Sequence, residues 1–186
     1  MATAEELRRV ALTRFAAAGY GAASLQQIAE DAGVSKASVL YHFASKEVLL
    51  EAALGPAIDE LEQLVQELEG VGTGAESRRR FLARFVDFLL AHRLAVYVFV
   101  SQSAALVDIP VIERANEQVG RIAAYFERHG GSMEEQMRFG IALAGAAYLL
   151  AQANQFKGEE LDQDELIRPV LNRVLGEIIA PAPSAR

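Results

Sequence analysis

Apolar residues recur at three- and four-residue intervals along most of the chain, and no stretch alternates with the period of two that a half-buried strand requires. Over 3–18, Leu7, Val10, Ala11, Phe15 and Ala18 fall on one helical face, and Gly19-Tyr20-Gly21 ends the run. Ser24 is placed to cap a second, short helix, with Gln27 three residues on completing a capping box and Leu25, Ile28, Ala29 and Ala32 at helical spacing. Gly33 stands where that helix must stop, because glycine takes a left-handed conformation at little steric cost. Val34 fills the space under the turn. Ser35 then caps a third helix, whose core-facing residues are Val39 and Phe43. Ser45 caps a fourth, with Glu47 in its first turn, where the positive end of the helix dipole favours a carboxylate. Val48, Leu49, Ala52 and Ala53 continue it to Gly55-Pro56, and Ile58, Leu61, Leu64, Val65 and Leu68 resume the stripe beyond. The pattern predicts one long helix kinked at Pro56, with a break there as the alternative.

The second half follows the same period. A glycine-rich loop over 70–75 precedes an apolar helix over 77–101, carrying Phe81, Leu82, Phe85, Phe88, Leu89, His92, Val96 and Phe99. A break near Asp108-Ile109-Pro110 leads to a helix that ends at His129, before Gly130-Gly131. Ser132 and Glu135 form a second capping box, opening a helix over 133–156 dense in small residues (Gly140, Ala142, Ala144, Gly145, Ala146, Ala147, Ala151) and stopped by Lys157-Gly158. A last helix runs over 164–179, with Pro169 in its first turns and apolar residues around much of its girth. The tail over 181–186 is expected to be disordered. The fold class is all-α, with about nine helices in two domains, 1–50 and 51–180.

Composition narrows the setting. The 186 residues include no cysteine, which excludes a disulfide framework and thiolate chemistry and suits a reducing cytosol. The N-terminal residues carry charges at helical intervals and no continuous apolar core of a signal peptide. The longest uncharged run in the second half, 139–155, is too short and too polar for a membrane span. The expectation is a soluble, cytoplasmic protein. The net charge of −7 is unevenly placed: residues 1–50 hold five basic and five acidic side chains, so 51–186 carry the whole excess. An acidic body confines any phosphate contact to the neutral end and weakens non-specific affinity for nucleic acid.

A helix, a glycine turn and a second helix over 24–43 form the helix-turn-helix pattern, whose second helix enters a DNA major groove. Ala37, Ser38 and Tyr41 lie opposite Val39 and Phe43 and face outward; with Lys36 they are the candidates for base-edge and sugar-phosphate contacts. Ala37 is small enough to admit the backbone or to touch a thymine methyl. Ser24, Ser35 and Lys46 sit at helix starts that favour a phosphate, and simple capping accounts for them equally well. His42 is either a phosphate donor or an ordinary half-buried histidine. Arg78-Arg79-Arg80 reads better as a solvated helix end paired with Glu76 or Asp87 than as a second nucleic-acid patch.

These residues, read together, resemble the TetR family of transcriptional regulators. The resemblance is carried by Phe15 to Tyr20, by Ser24, by Ile28 to Ser35, and by Phe43 with Ser45-Lys46-Glu47, and it covers residues 5–50. It implies a ligand-responsive repressor that acts as a homodimer on palindromic double-stranded DNA, through a helix-turn-helix domain joined to a helical ligand-binding and dimerisation domain. It also implies that the last two helices pair with those of a second copy, and that a small molecule releases the DNA. Leu40 departs from the family, which usually has Tyr there, close to phosphate. The small-residue helix suits dimerisation or tight intramolecular packing. Phe81, Phe85, Phe88, His92, Phe99 and Tyr125 are candidates to line a cavity for a largely apolar effector, with Gln102, Asn116 or Gln152 orienting it; each alone also reads as core. An enzyme is disfavoured: the chain has no HExxH, no Gly-rich phosphate loop and no Glu-x-x-His pair, and His42, His92 and His129 lie on separate helices. No metal or cofactor is expected. A helical interaction module that has lost DNA binding is the remaining alternative, supported by Leu40 and the acidic body.

Overall fold

The computed structural model describes residues 2–70, 74–102, 106, 108–129, 131–153 and 163–180. Among these the chain forms nine helices and no strand: α1 (Ala4–Ala18), α2 (Leu25–Asp31), α3 (Lys36–His42), α4 (Lys46–Gly70), α5 (Ala75–Ala91), α6 (Arg93–Gln102), α7 (Pro110–His129), α8 (Met133–Ala153) and α9 (Gln163–Ile179). The expected stop at Lys157-Gly158 and the tail over 181–186 lie outside the described residues.

Local capping accounts for most helix starts. The Thr3 hydroxyl accepts from Glu6 N at 3.1 Å, and the Glu6 carboxylate accepts from Thr3 N at 2.8 Å. Ser132 and Glu135 repeat this box before α8, at 3.3 and 2.9 Å. Pro110 occupies the first position of α7, where a missing N–H costs nothing. Helix α4 runs without interruption through Pro56, so the break left open by the sequence does not occur.

The helix expected over 77–101 is two helices. His92 adopts φ −117°, ψ 31° and its N–H bonds to Phe88 O at 3.0 Å, which closes α5 before α6 begins at Arg93. One non-helical residue leaves the apolar spacing on both sides nearly in phase, and periodicity therefore cannot reveal it.

The chain divides into two compact units that do not follow chain order. The first comprises residues 1–59 with 94–115, and the second residues 60–93 with 116–186. This division adds the first half of α4, most of α6 and the start of α7 to the segment that the sequence suggests ends at residue 50. In the first unit α2 packs on α1 and α3 on α2, around the buried side chains of Leu7, Phe15, Ile28, Val39 and Leu50. In the second, α5, α8 and α9 pack on one another, and Phe81, Phe85, Leu89, Phe126 and Phe139 are buried. Arg121 clasps Glu69 there through two nitrogens, at 2.5 and 3.2 Å, and holds that carboxyl below the usual carboxylate range. Two members of the arginine run at the start of α5 are engaged within the second unit: Arg78 donates to His129 O at 2.9 Å and lies over the Phe139 ring, while Arg79 pairs with Glu76. Asp87 pairs with Arg168 instead of this run.

Candidate nucleic-acid interface

The turn between α2 and α3 is fixed by short-range bonds. Ser24 Oγ accepts from Gln27 N at 3.3 Å and Gln27 Oε1 accepts from Ser24 N at 3.0 Å, so both serve the cap of α2. At the other end Gly33 N bonds to Glu30 O at 3.1 Å and Val34 N to Ala29 O at 2.9 Å, with Gly33 at φ +66°. That φ is the reason for glycine, since a Cβ at Gly33 would meet open space and only the backbone conformation resists it. Gly33→Val is expected to cost about 1–2 kcal/mol, because a β-branched residue is strained in the left-handed region. Thermal unfolding checks it: a variant with wild-type stability would show that the turn needs no glycine.

Ser35 Oγ accepts from Ser38 N at 3.1 Å and starts α3. Val39 and Phe43 are buried beneath it. The opposite face presents Lys36 and Ala37, both exposed, Leu40 at 42% exposure and Tyr41 at 81%. Ser38 is half-buried. His42 is half-buried too, and its Nε2 is buried without a hydrogen-bond partner, so any phosphate contact by this ring falls to the other nitrogen. Because Tyr41 is outside the core, Tyr41→Ala is expected to leave the unfolding temperature unchanged and to weaken binding to a specific duplex by about tenfold, the loss of roughly one hydrogen bond or stacked contact. Unaltered affinity would show that α3 does not touch DNA with this face.

Lys46 takes a different position from the one its helix-start location suggests. Its ammonium donates to Tyr20 O at 2.8 Å and Ala23 O at 3.0 Å and lies 4.3 Å from the Tyr20 ring centroid. These contacts tie the start of α4 to the segment between α1 and α2 and occupy the charge that was expected to meet phosphate. Burial, and secondarily the Glu47 charge, pushes the Tyr20 phenol above its ordinary pKa.

Gln102 is likewise drawn into this unit. Its Oε1 accepts from Tyr20 N at 2.7 Å and its Nε2 donates to Phe15 O at 2.9 Å, so one side chain serves both backbone groups at the end of α1. Both polar ends of the Gln102 side chain are thus engaged by backbone groups. Nothing in the local sequence signals this role, since Phe15 and Gln102 are 87 residues apart. Arg14 and Asp31 form a bidentate pair at 2.6 and 2.5 Å between α1 and α2, which the sequence reading did not anticipate. The hydrogen bond from Arg14 holds the Asp31 carboxyl below its usual range.

The other cavity candidates divide between the units. Phe99 belongs with Gln102 to the first, half-buried on α6, whereas Phe81, Phe85, Phe88, His92, Tyr125 and Gln152 belong to the second. Phe81 stacks on Phe85 and Phe85 on Phe88, with centroids 5.9 and 6.2 Å apart, and Phe88 touches His92 at 5.3 Å. His92 Nε2 lies 2.8 Å from Glu60 Oε2. Tyr125 is buried against Phe126 and His129, and its hydroxyl has no hydrogen-bond partner. Asn116 is exposed. Among the described residues no group of three or more His, Cys, Asp or Glu side chains could hold a metal ion, and no helix is long and apolar enough to cross a membrane.

Residues 7–53 match the family model described as bacterial regulatory proteins, tetR family, a segment that contains α2, the turn and α3. The HTH-type transcriptional regulator YerO of Bacillus subtilis is 30% identical over 88 residues, 45% of this chain and 30% of that protein. The HTH-type transcriptional repressor KstR2 of Mycolicibacterium smegmatis is 31% identical over 109 residues, 57% of this chain and 52% of that one. The chain thus spans between about a third and a half of the length of these curated relatives. The crystal structure of SCO3833, a TetR-family member from Streptomyces coelicolor, superposes with a TM-score of 0.72 over 94% of this chain and 91% of that one. At 22% identity that likeness concerns the fold. The relatives are transcriptional regulators, not enzymes. The helix-turn-helix segment, its outward α3 face and these matches lead to one assignment: residues 7–53 are a helix-turn-helix segment of the bacterial regulatory proteins of the tetR family.

Proposed function

We propose that this protein is a cytoplasmic, homodimeric repressor that binds a palindromic DNA operator through α3 and leaves it when a small, largely apolar molecule binds the helical body. The observation that carries the reading is the outward face of α3, with Lys36, Ala37 and Tyr41 exposed above the buried Val39 and Phe43. Ser24 and Ser35, both used as caps, stand at the adjoining helix starts, where a hydroxyl can serve a phosphate as well.

Two further features support the assembly and the ligand. On α8, Met133, Met137, Ile141 and Tyr148 are exposed at helical spacing, with Leu149 beside them; on α9, Leu166, Val170 and Val174 are exposed one turn apart. Such an apolar surface on two helices that pack together is of the kind that a second copy covers. In the aromatic cluster of the second unit, the Tyr125 hydroxyl is a buried polar atom without a partner, suited to orienting the polar end of an apolar ligand. A dimer carrying two α3 helices requires an inverted repeat. Selection from random duplex DNA with the purified protein tests the reading: an enriched inverted repeat supports it, and a folded dimer that enriches nothing counts against it.

A further inference from the structure

The seven residues of α3, KASVLYH, contain no arginine, asparagine, glutamine or carboxylate. Those side chains, with lysine, make the usual bidentate contacts to guanine, adenine or cytosine edges, and Lys36 at the first position of the helix is the one such residue here. The helix instead turns Ala37, Leu40 and Tyr41 outward, at spacings of three and four residues that place them on one face. Leu40 is a large aliphatic side chain exposed to water in the isolated protomer, and Lys36 at the start of the same helix supplies a positive charge to meet the backbone. Of the neighbouring acids, Asp31 is neutralised by Arg14, whereas Glu30 accepts from the uncharged Gln26 amide at 2.8 Å and keeps its charge. A face of this composition has one apolar complement in the major groove, the C5-methyl group of thymine.

Resting on the DNA-binding reading above, we infer that α3 reads its half-site chiefly through thymine methyl groups, with Ala37 and Leu40 as the contacting side chains. Tyr41 lies beside them and closes the apolar face. Specificity at these positions then comes from apolar burial, and the operator half-site carries thymine where α3 crosses the groove. Leu40 is the residue that gives the reading its strength, since its side chain reaches further than that of Ala37.

The test uses the full chain and the duplex recovered by selection, with each thymine replaced singly by deoxyuridine, which removes the methyl and leaves base pairing intact. Affinity is expected to fall about fourfold at one or two positions per half-site, the factor that corresponds to one buried carbon-sized apolar group. Leu40→Ala, made at an exposed position, is expected to lose the uracil sensitivity at one of those positions and keep it elsewhere. A selected duplex that binds equally well with uracil at every position would overturn the inference while leaving the regulator reading intact. Failure to enrich any duplex would remove the regulator reading and this inference with it. Binding of another protein, in place of DNA, by the Leu40–Tyr41 face would overturn it also.

Discussion

Ile141→Glu is expected to dissociate the proposed dimer and abolish binding to its operator while each protomer stays folded. Ile141 is 68% exposed in the protomer, so the substitution removes nothing from the core. In a two-fold interface the same patch appears on both copies, and the carboxylate enters it twice. Burying an unpaired carboxylate costs about 3 kcal/mol or more per copy, so the dimer dissociation constant rises by a factor on the order of 10⁴. The exposed side chains Met133, Met137, Tyr148 and Leu149 on α8, and Leu166, Val170 and Val174 on α9, carry no cation, and Arg138, three residues before Ile141, is already paired with Glu134. Light scattering over a concentration series, with circular dichroism as the control for folding, reads the result. A variant that dimerises with wild-type affinity would place the interface away from α8.

Gln102→Leu is expected to destabilise the first unit by about 2–3 kcal/mol. The substitution keeps a similar volume but strands the part-buried Tyr20 N and removes one donor to Phe15 O, and an unsatisfied buried backbone group costs about 1–3 kcal/mol. Phe15 O retains its bond from Gly19 N at 3.0 Å, so the larger share falls on Tyr20 N. A drop of roughly 5–10 °C in unfolding temperature follows for a chain of this size. Gln102→Glu separates the hydrogen-bond account from a packing account, because a carboxylate accepts from Tyr20 N and cannot donate to Phe15 O. It should lie between wild type and Gln102→Leu; if both variants unfold with the wild type, the side-chain bridge contributes nothing to stability.

The parts of the molecule legible in the sequence are those set by short-range chemistry. Ser24 with Gln27, the positive φ at Gly33 and Ser132 with Glu135 each specify a boundary through residues three or four apart, and the structure has them there. The interruption at His92 escapes this kind of reading because a single cap residue barely disturbs the apolar spacing. Lys46 and Gln102 escape it for another reason. Both are polar residues with candidate outward roles, yet each is captured by backbone carbonyls or amides distant in sequence, and such pairings depend on how α1, α4 and α6 come together in the first unit. The aromatic set suffers from the same ambiguity. Periodicity identifies Phe81, Phe85 and Phe88 as inward-facing and cannot assign Phe99 to a different unit. The outward face of α3 is the opposite case, because a seven-residue helix with two buried anchors leaves little freedom for the remaining side chains.

The proposed function requires sequence-specific binding of DNA by a dimer through α3. Titration of the selected duplex, intact and cut to one half-site, with mass measured in solution at several salt concentrations, tests it most directly. Two protomers are expected on the intact duplex, with much weaker binding to the half-site and an affinity that falls steeply as salt rises, with a log–log slope of about −0.9 for each phosphate neutralised. Equal affinity for the half-site and for unrelated duplexes, or no DNA complex from a dimer shown to be folded, would contradict it.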